Sequence, residues 1–320
     1  MSTKNSSTIE APAIEIKGLT KTYKANKKSK AKQALKGIDL TIPRGSIFGL
    51  LGPNGAGKST MINIIAGLVN KTSGSVKICG YDIKTHTRQA RASIGVVLQE
   101  ISMDVFFTPY QALENQAGYY GVPKSERRTD EILNALGLLE KRDAYVRQLS
   151  GGMKRRLLIA KALVHNPHVL ILDEPTAGVD IELRRQLWEY VNILHERGTT
   201  IILTTHYLEE AEQLCDRIAI IHNGVITANE DKKDLMGRLD QKTLVITPAK
   251  PIAKLPNMLN TFDPVLRNDG QIAITYRTSK TSIPALLEQI RAAGLDIADL
   301  RTEEPDLEDV FMALTYDFSG

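Results

Sequence analysis

The chain has 320 residues, 42% of them hydrophobic and 24% charged, with a net charge of +4. That length supports a sizeable core and points to two domains, and the apolar fraction excludes a disordered chain. No apolar run reaches the roughly 18 residues of a membrane span, just 5% of residues are aromatic, which argues against a nucleic-acid binder, and the isolated Cys79 and Cys215 offer neither a disulfide framework nor a metal spacing.

The start, Met1 to Thr8, is polar and has no apolar signal core, so the expectation is a disordered tail over 1–13 and no secretion. Ile14 to Leu19 and Leu40 to Ile42 read as short strands. Between them lies a stretch with seven lysines from Lys21 to Lys36 and no acid, read as a solvated loop. Ile47 to Leu51 is an apolar strand running straight into Gly52-Pro53-Asn54-Gly55-Ala56-Gly57-Lys58-Ser59, with a helix-like segment from Thr60 to Leu68 behind it. Strand, glycine loop, helix is the order a phosphate cradle needs. The glycines let backbone N–H groups curl around an anion, and the helix start adds free N–H groups and partial positive charge. In such a loop Lys58 reaches the β- and γ-phosphates of a nucleotide and the Ser59 hydroxyl can ligate Mg²⁺.

Ser75 to Cys79 and Ile94 to Leu98 read as further strands. From Ile101 to Val164 the pattern is mostly helical, with Ile132, Leu133, Leu136 and Leu139 at helix spacing, too long for one crossover and so expected to form a helical subdomain over about 100–165. Within it, Ser150-Gly151-Gly152 opens a helix with an N-cap serine and two glycines that expose N–H groups, a second candidate phosphate contact. Val169 to Leu172 is the continuous apolar run of a central parallel strand, and it ends in Asp173-Glu174. Carboxylates at the C-terminal edge of such a strand stand beside the glycine loop; Asp173 is placed to hold Mg²⁺ and Glu174 to polarise an attacking water. Leu183 to Leu194 reads as a helix, Thr200 to Leu203 as a buried strand, Tyr207 to Leu214 as a helix, and Arg217 to Ile221 with Val225 to Thr227 as a hairpin around Asn223-Gly224. Strands alternating with helices give an α/β fold with a mainly parallel sheet. Charges cluster from Asp231 to Lys242, and the boundary is placed there, giving 14–240 and 241–320. The second part reads as a small C-terminal α+β domain with strands at Leu244 to Thr247, Ile272 to Tyr276 and Ile297 to Arg301, and helices at Ile283 to Ala293 and Leu307 to Leu314. It carries eleven acids against seven bases from Leu244 onward, so its charge is near −4 and that of the rest near +8.

Over about Ile14 to Leu239 the sequence resembles the ATP-binding subunit of ABC transporters, a P-loop NTPase core with an antiparallel β subdomain and a helical subdomain. Gly52 to Thr60 matches Walker A, Val169 to Asp173 Walker B, and Leu149-Ser150-Gly151-Gly152-Met153 the signature, with Met153 where glutamine is commoner. The resemblance implies that Tyr23 stacks on adenine, that Gln99 touches Mg²⁺ and the water, that Asp180 closes a D-loop at Gly178-Val179-Asp180, and that His206 contacts the γ-phosphate. It implies ATP and Mg²⁺ as ligands and two subunits paired head to tail, each ATP held between one P-loop and the other subunit's signature glycines. It also implies a separately encoded membrane permease as partner, a peripheral location on the cytoplasmic face of the membrane, and no nucleic acid. In the family the segment after Gln99, with Met103, Val105, Phe106 and Phe107, meets a coupling helix of the permease. The tail Glu304-Pro305-Asp306-Leu307-Glu308-Asp309-Val310-Phe311 resembles that of bacterial type-two exporter ATPases, and shorter stretches such as Asn70-Lys71-Thr72-Ser73-Gly74 look closest to the YadG-type group. Two other readings share these motifs: a soluble ABC ATPase with a non-transport partner, and an importer ATPase. One ATPase module, no room for a coiled coil between Thr60 and Leu149, and an amphipathic terminal helix weigh against both; intact Glu174 and His206 weigh against a switch that binds without hydrolysing.

Overall fold

A computed structural model describes residues 11–25, 30–100, 103–176, 181–250, 252, 255, 262 and 264–316. The chain divides into two compact units, Met1–Lys232 and Lys233–Gly320.

In chain order the first unit runs through strands β1 (Ile14–Tyr23), β2 (Lys32–Ile42) and β3 (Ile47–Leu51), helix α1 (Lys58–Ile65), strands β4 (Ser73–Ile78) and β5 (Tyr81–Asp82), helix α2 (Thr87–Ala92) and strand β6 (Ile94–Val97). Helices α3 (Pro109–Tyr119), α4 (Thr129–Ala135) and α5 (Gly151–Leu163) follow, then β7 (Val169–Asp173), α6 (Ile181–Glu196), β8 (Thr200–Thr204), α7 (Leu208–Leu214), β9 (Arg217–His222) and β10 (Val225–Asp231); helix α8 (Lys232–Met236) starts at the boundary and continues into the second unit. Strands β2-β1-β4-β5 form an antiparallel sheet, and β10-β9-β3-β8-β7-β6 a six-stranded sheet that is parallel except for the β9–β10 hairpin. Strands β3, β7 and β8 are buried along their whole length, as expected for a parallel sheet covered on both faces. Ile14, Leu35, Phe48, Met61, Val76, Ile171 and Ile221 belong to one apolar core that joins the two sheets. Helix α5 lies directly on β6: a methyl group at Gly95 would sit 2.3 Å from the carbonyl oxygen of Ala162, so glycine permits backbone to rest on backbone.

Several local readings change. The lysine-rich stretch is not all loop: Lys32 and Lys36 lie in β2, which pairs with β1 through a register broken by irregularities, and cross-strand pairing overrides the polar composition. Cys79 stands just beyond β4 in a left-handed turn with Gly80 (φ 49° and 86°), not in the strand. The tail expected over 1–13 stops earlier, because Ala13 is fully buried, its carbonyl accepts from Cys79 N at 2.9 Å, and Ala11 O accepts from Arg44 Nε at 2.8 Å; residues 1–10 lie outside those described. Asn223 and Gly224 both take positive φ, the turn that suits a two-residue hairpin.

The second unit is an antiparallel sheet in the order β12-β13-β11-β14, built from β11 (Lys242–Pro248), β12 (Val265–Leu266), β13 (Ile272–Tyr276) and β14 (Ile297–Glu303), with helices α9 (Ile283–Ala292) and α10 (Leu307–Tyr316). Leu244, Ile246, Ile274, Leu286 and Ile290 are buried in its own core. Ser282 caps α9 by accepting from Ala285 N at 3.4 Å.

Candidate active site

Parallel strands place their C-terminal ends along one edge of the sheet. Leu50 of β3, Asp173 of β7 and Thr204 of β8 stand in register there, one strand to the next. The loop from Gly52 to Ser59 leaves that edge and enters α1. Gly57 caps the helix with φ 119°, and a methyl group there would lie 2.8 Å from Leu35 Cδ2 and 2.9 Å from Ala34 O, so both backbone and space demand glycine. The β9–β10 turn and β2 hold the loop from the other side: Gly224 N donates to Ala56 O at 2.9 Å and Gly224 O accepts from Lys36 N at 2.8 Å. Lys58 is 6% exposed, and its ammonium donates to the loop carbonyls of Gly52 and Pro53. Burial draws its pKa below the usual lysine value, against the opposing pull of Glu174 and Asp173. A buried cation at a glycine-loop helix start is a site for polyphosphate.

Asp173 is 5% exposed and accepts a hydrogen bond from the Thr204 hydroxyl. Glu174 adopts φ 48°, a conformation that costs a non-glycine residue about 1–3 kcal/mol. It is fixed by its own N–H, which donates to Thr204 O at 3.0 Å and to Thr204 Oγ1 at 3.1 Å. The twist turns its carboxylate toward two other segments: Oε2 accepts from Gln99 Nε2 at 3.0 Å and lies 3.5 Å from His206 Nδ1.

One cleft of about 540 Å³ is lined by Tyr23, Pro53, Asn54, Gly55, Gly57, Lys58, Ser59 and Thr60 together with Gln99, Glu174 and His206. Gly52, Ala56 and Asp173 are buried and do not line it. Tyr23 is 41% exposed, with Lys21 Nζ 4.7 Å from its ring centre. Ser150, Gly151 and Gly152 contribute nothing to the cleft of their own chain; Ser150 caps α5, accepting from Met153 N at 3.2 Å, and Gly151 is exposed at the helix tip. Asp180 lies outside the described residues. Cys79 is half-buried and Cys215 buried, its thiol pushed up to about 12 by burial.

Three residues here had been given no role from the sequence. Lys32, paired across the strands with Tyr23, lines the cleft. Arg155, 5% exposed on α5, donates to the carbonyls of Leu98, Gln99, Asp173, Glu174 and Pro175. Glu210 of α7, also 5% exposed, accepts from Thr176 Oγ1 at 3.0 Å and Thr205 Oγ1 at 2.9 Å, tying the exit of β7 to the residue before His206. Each sits beside or near residues of like charge in the sequence, so nothing there says which groups it meets in the fold.

Comparison with known proteins accords with this geometry. The profile of the ABC transporter family matches residues 35–177. The linearmycin resistance ATP-binding protein LnrL of Bacillus subtilis is 38% identical over 292 residues, covering 89% of this chain and 94% of that protein. The Nod factor export ATP-binding protein I of Ralstonia nicotianae is 34% identical over 307 residues, covering 95% and 94%. Among solved structures, the dimeric post-hydrolysis state of the ATP-binding cassette MJ0796 bound to ADP and Pi superposes with a TM-score of 0.61 at 30% identity, over 68% of this chain and 98% of that one.

Proposed function

Because the chain belongs to the ABC transporter family of ATP-binding subunits, we propose the following division of labour among its residues. The protein binds and hydrolyses ATP as the energy-supplying subunit of an exporter. The observation that carries the residue roles is the meeting of Lys58, Gln99, Glu174 and His206 around one cleft.

Tyr23 stacks on the adenine, and the loop from Gly52 to Thr60 cradles the phosphates through its N–H groups, with Ala56, Pro53 and Asn54 shaping its path. Lys58 exchanges its bonds to Gly52 and Pro53 for phosphate oxygens, which returns its pKa toward the usual value because the anion stabilises the charged form. Glu174 accepts the proton of the attacking water. His206, 3.5 Å from that carboxylate, donates to the γ-phosphate. Gln99 orients the water through its amide, one end of which already donates to Glu174.

Mg²⁺ suits the donors available. Among the described residues no cluster of three or more His, Cys, Asp or Glu is found, and Mg²⁺ bound with a nucleotide needs instead one or two hard protein oxygens beside the phosphates. The Ser59 hydroxyl and the Gln99 side-chain amide oxygen would hold it, with the buried Asp173 carboxylate behind them doing so directly or through water, and when bound it would neutralise charge developing on the phosphates.

Two copies pair head to tail. Ser150, Gly151 and Gly152 of one copy close the nucleotide cleft of the other. Support comes from the exposed glycine tip of α5, which does not line the nucleotide cleft of its own chain, and from the dimeric state of the similar MJ0796 cassette. The partner is a separately encoded integral-membrane permease, which places the protein peripherally on the cytoplasmic face of the membrane; among the described residues no helix is long and apolar enough to cross one. Val105, Phe106 and Phe107, all exposed, belong to the surface that meets it. The nucleotide-binding domain spans 14–240 and the accessory domain 241–320.

Glu174→Gln tests the assignment. It retains ATP binding, loses about 10²–10⁴-fold in turnover, and runs as a dimer in size-exclusion chromatography when ATP is present. Turnover at the parent rate removes Glu174 as the base, and a monomer with ATP bound removes the head-to-tail dimer.

A further inference from the structure

Helix α5 begins at the Ser150 cap and carries Arg155 just over one turn further in. A guanidinium has five N–H donors in a fixed planar fork, and here all five are used. Nη1 donates to Leu98 O at 2.7 Å and Gln99 O at 3.0 Å, Nη2 to Asp173 O at 2.9 Å and Glu174 O at 2.7 Å, and Nε to Pro175 O at 3.0 Å. These acceptors are main-chain oxygens, so a carboxylate partner does not account for burying the charge. They fall on two segments some 75 residues apart, the exits of β6 and β7, and those segments carry the two side chains that meet at Glu174 Oε2. The bond between Gln99 Nε2 and Glu174 Oε2 therefore depends on backbones that Arg155 staples together. Glu174 also holds an unfavourable φ, which neighbouring structure must maintain.

We propose that Arg155 is the positioning residue for hydrolysis: it fixes the main chain on either side of the Gln99–Glu174 pair so that the carboxylate points at the attacking water. It touches neither water nor nucleotide, so it governs the chemical step and not binding. Lysine cannot replace it, because an ammonium offers three donors from one point and spans fewer of the five carbonyls. Since the proposal rests on Glu174 being the base, the two are tested side by side.

The full-length chain is prepared as parent, Arg155→Lys, Arg155→Ala and Glu174→Gln, and each is measured for ATP affinity by calorimetry, for turnover at saturating ATP, and for thermal midpoint. The expected result is that both Arg155 variants bind ATP as the parent does while turnover falls by up to about 10²-fold, the scale of a misplacement of about 1 Å. Methylguanidinium added in trans restores turnover to Arg155→Ala and not to Arg155→Lys, whose side chain fills the slot. If Arg155→Ala does not fold, Arg155→Lys decides alone, since it keeps the charge and most of the volume. Parent-level turnover in Arg155→Lys overturns the proposal, and so does a loss of turnover matched by an equal loss of ATP affinity or folded fraction. Parent-level turnover in Glu174→Gln defeats the base assignment instead, whatever the Arg155 variants do.

Discussion

At the scale of single residues the site is a set of buried charges with named partners. Lys58 is the clearest, because its ammonium donates to loop carbonyls that it can exchange for phosphate. Lys58→Ala removes the cation a polyphosphate would meet, and ATP affinity falls by about 2–5 kcal/mol, the cost of truncating one side of a buried charge pair; calorimetry with ATP reads it, and an unchanged affinity refutes the role. Much of this was legible in the sequence. Gly52 to Ser59 and Asp173-Glu174 declare themselves because phosphate chemistry needs those residue types at fixed spacing. Tyr23, Gln99 and His206 were assigned through family resemblance, and all three line the cleft with Lys58. Lys32, Arg155 and Glu210 stayed hidden. A lysine in a lysine-rich run, an arginine following another basic residue and a glutamate beside a glutamate carry no local signal, and each matters through groups brought close by the fold.

At the scale of elements, continuous apolar runs gave β3, β7 and β8 cleanly, since buried parallel strands leave no polar face to confuse the pattern. Exposed strands were harder. Strand β2 reaches back to Lys32 although the start of its sequence looks like a surface loop, because pairing with β1 sets its length. In the second unit, β14 extends to Glu303, past the apolar positions that announced it, and an ion pair anchors that end: Arg267 Nη1 and Nη2 donate to the Glu303 carboxylate at 3.0 and 2.7 Å. Those charge-assisted bonds, Arg267 first and Arg301 beside it, hold the Glu303 pKa down to about 2 from 4.5. The folded value lies below the unfolded one, so the stabilisation is present above about 4.5 and lost as pH falls toward about 2. Carboxyl NMR titration of Glu303 checks this: a midpoint near 2 in the parent and a return toward the ordinary glutamate range in Arg267→Ala. A parent midpoint at the ordinary value removes the clamp.

At the scale of the whole molecule, composition and alternation led to an α/β core with a small α+β unit, and both are present. The residues that would touch the transport partner are less legible, since exposed apolar side chains such as Phe106, 69% exposed, look like core in a sequence. The full chain, tagged and captured from mildly solubilised membranes, is expected to bring down one integral-membrane protein, identified by mass spectrometry; recovery of the chain from the soluble fraction alone, or with ribosomes, refutes the exporter assembly. A last consequence follows from Gly95. With the main chain of α5 touching β6 at Ala162, no slack exists at the far end of that helix. Any tilt of α5 against the sheet has its fulcrum there, while Ser150 lies about twelve residues away along the rod, about 18 Å at the usual rise. A swing of a few degrees, scarcely felt at the pivot, carries the serine about 1 Å, and the guanidinium staple rides at an intermediate point on the same lever.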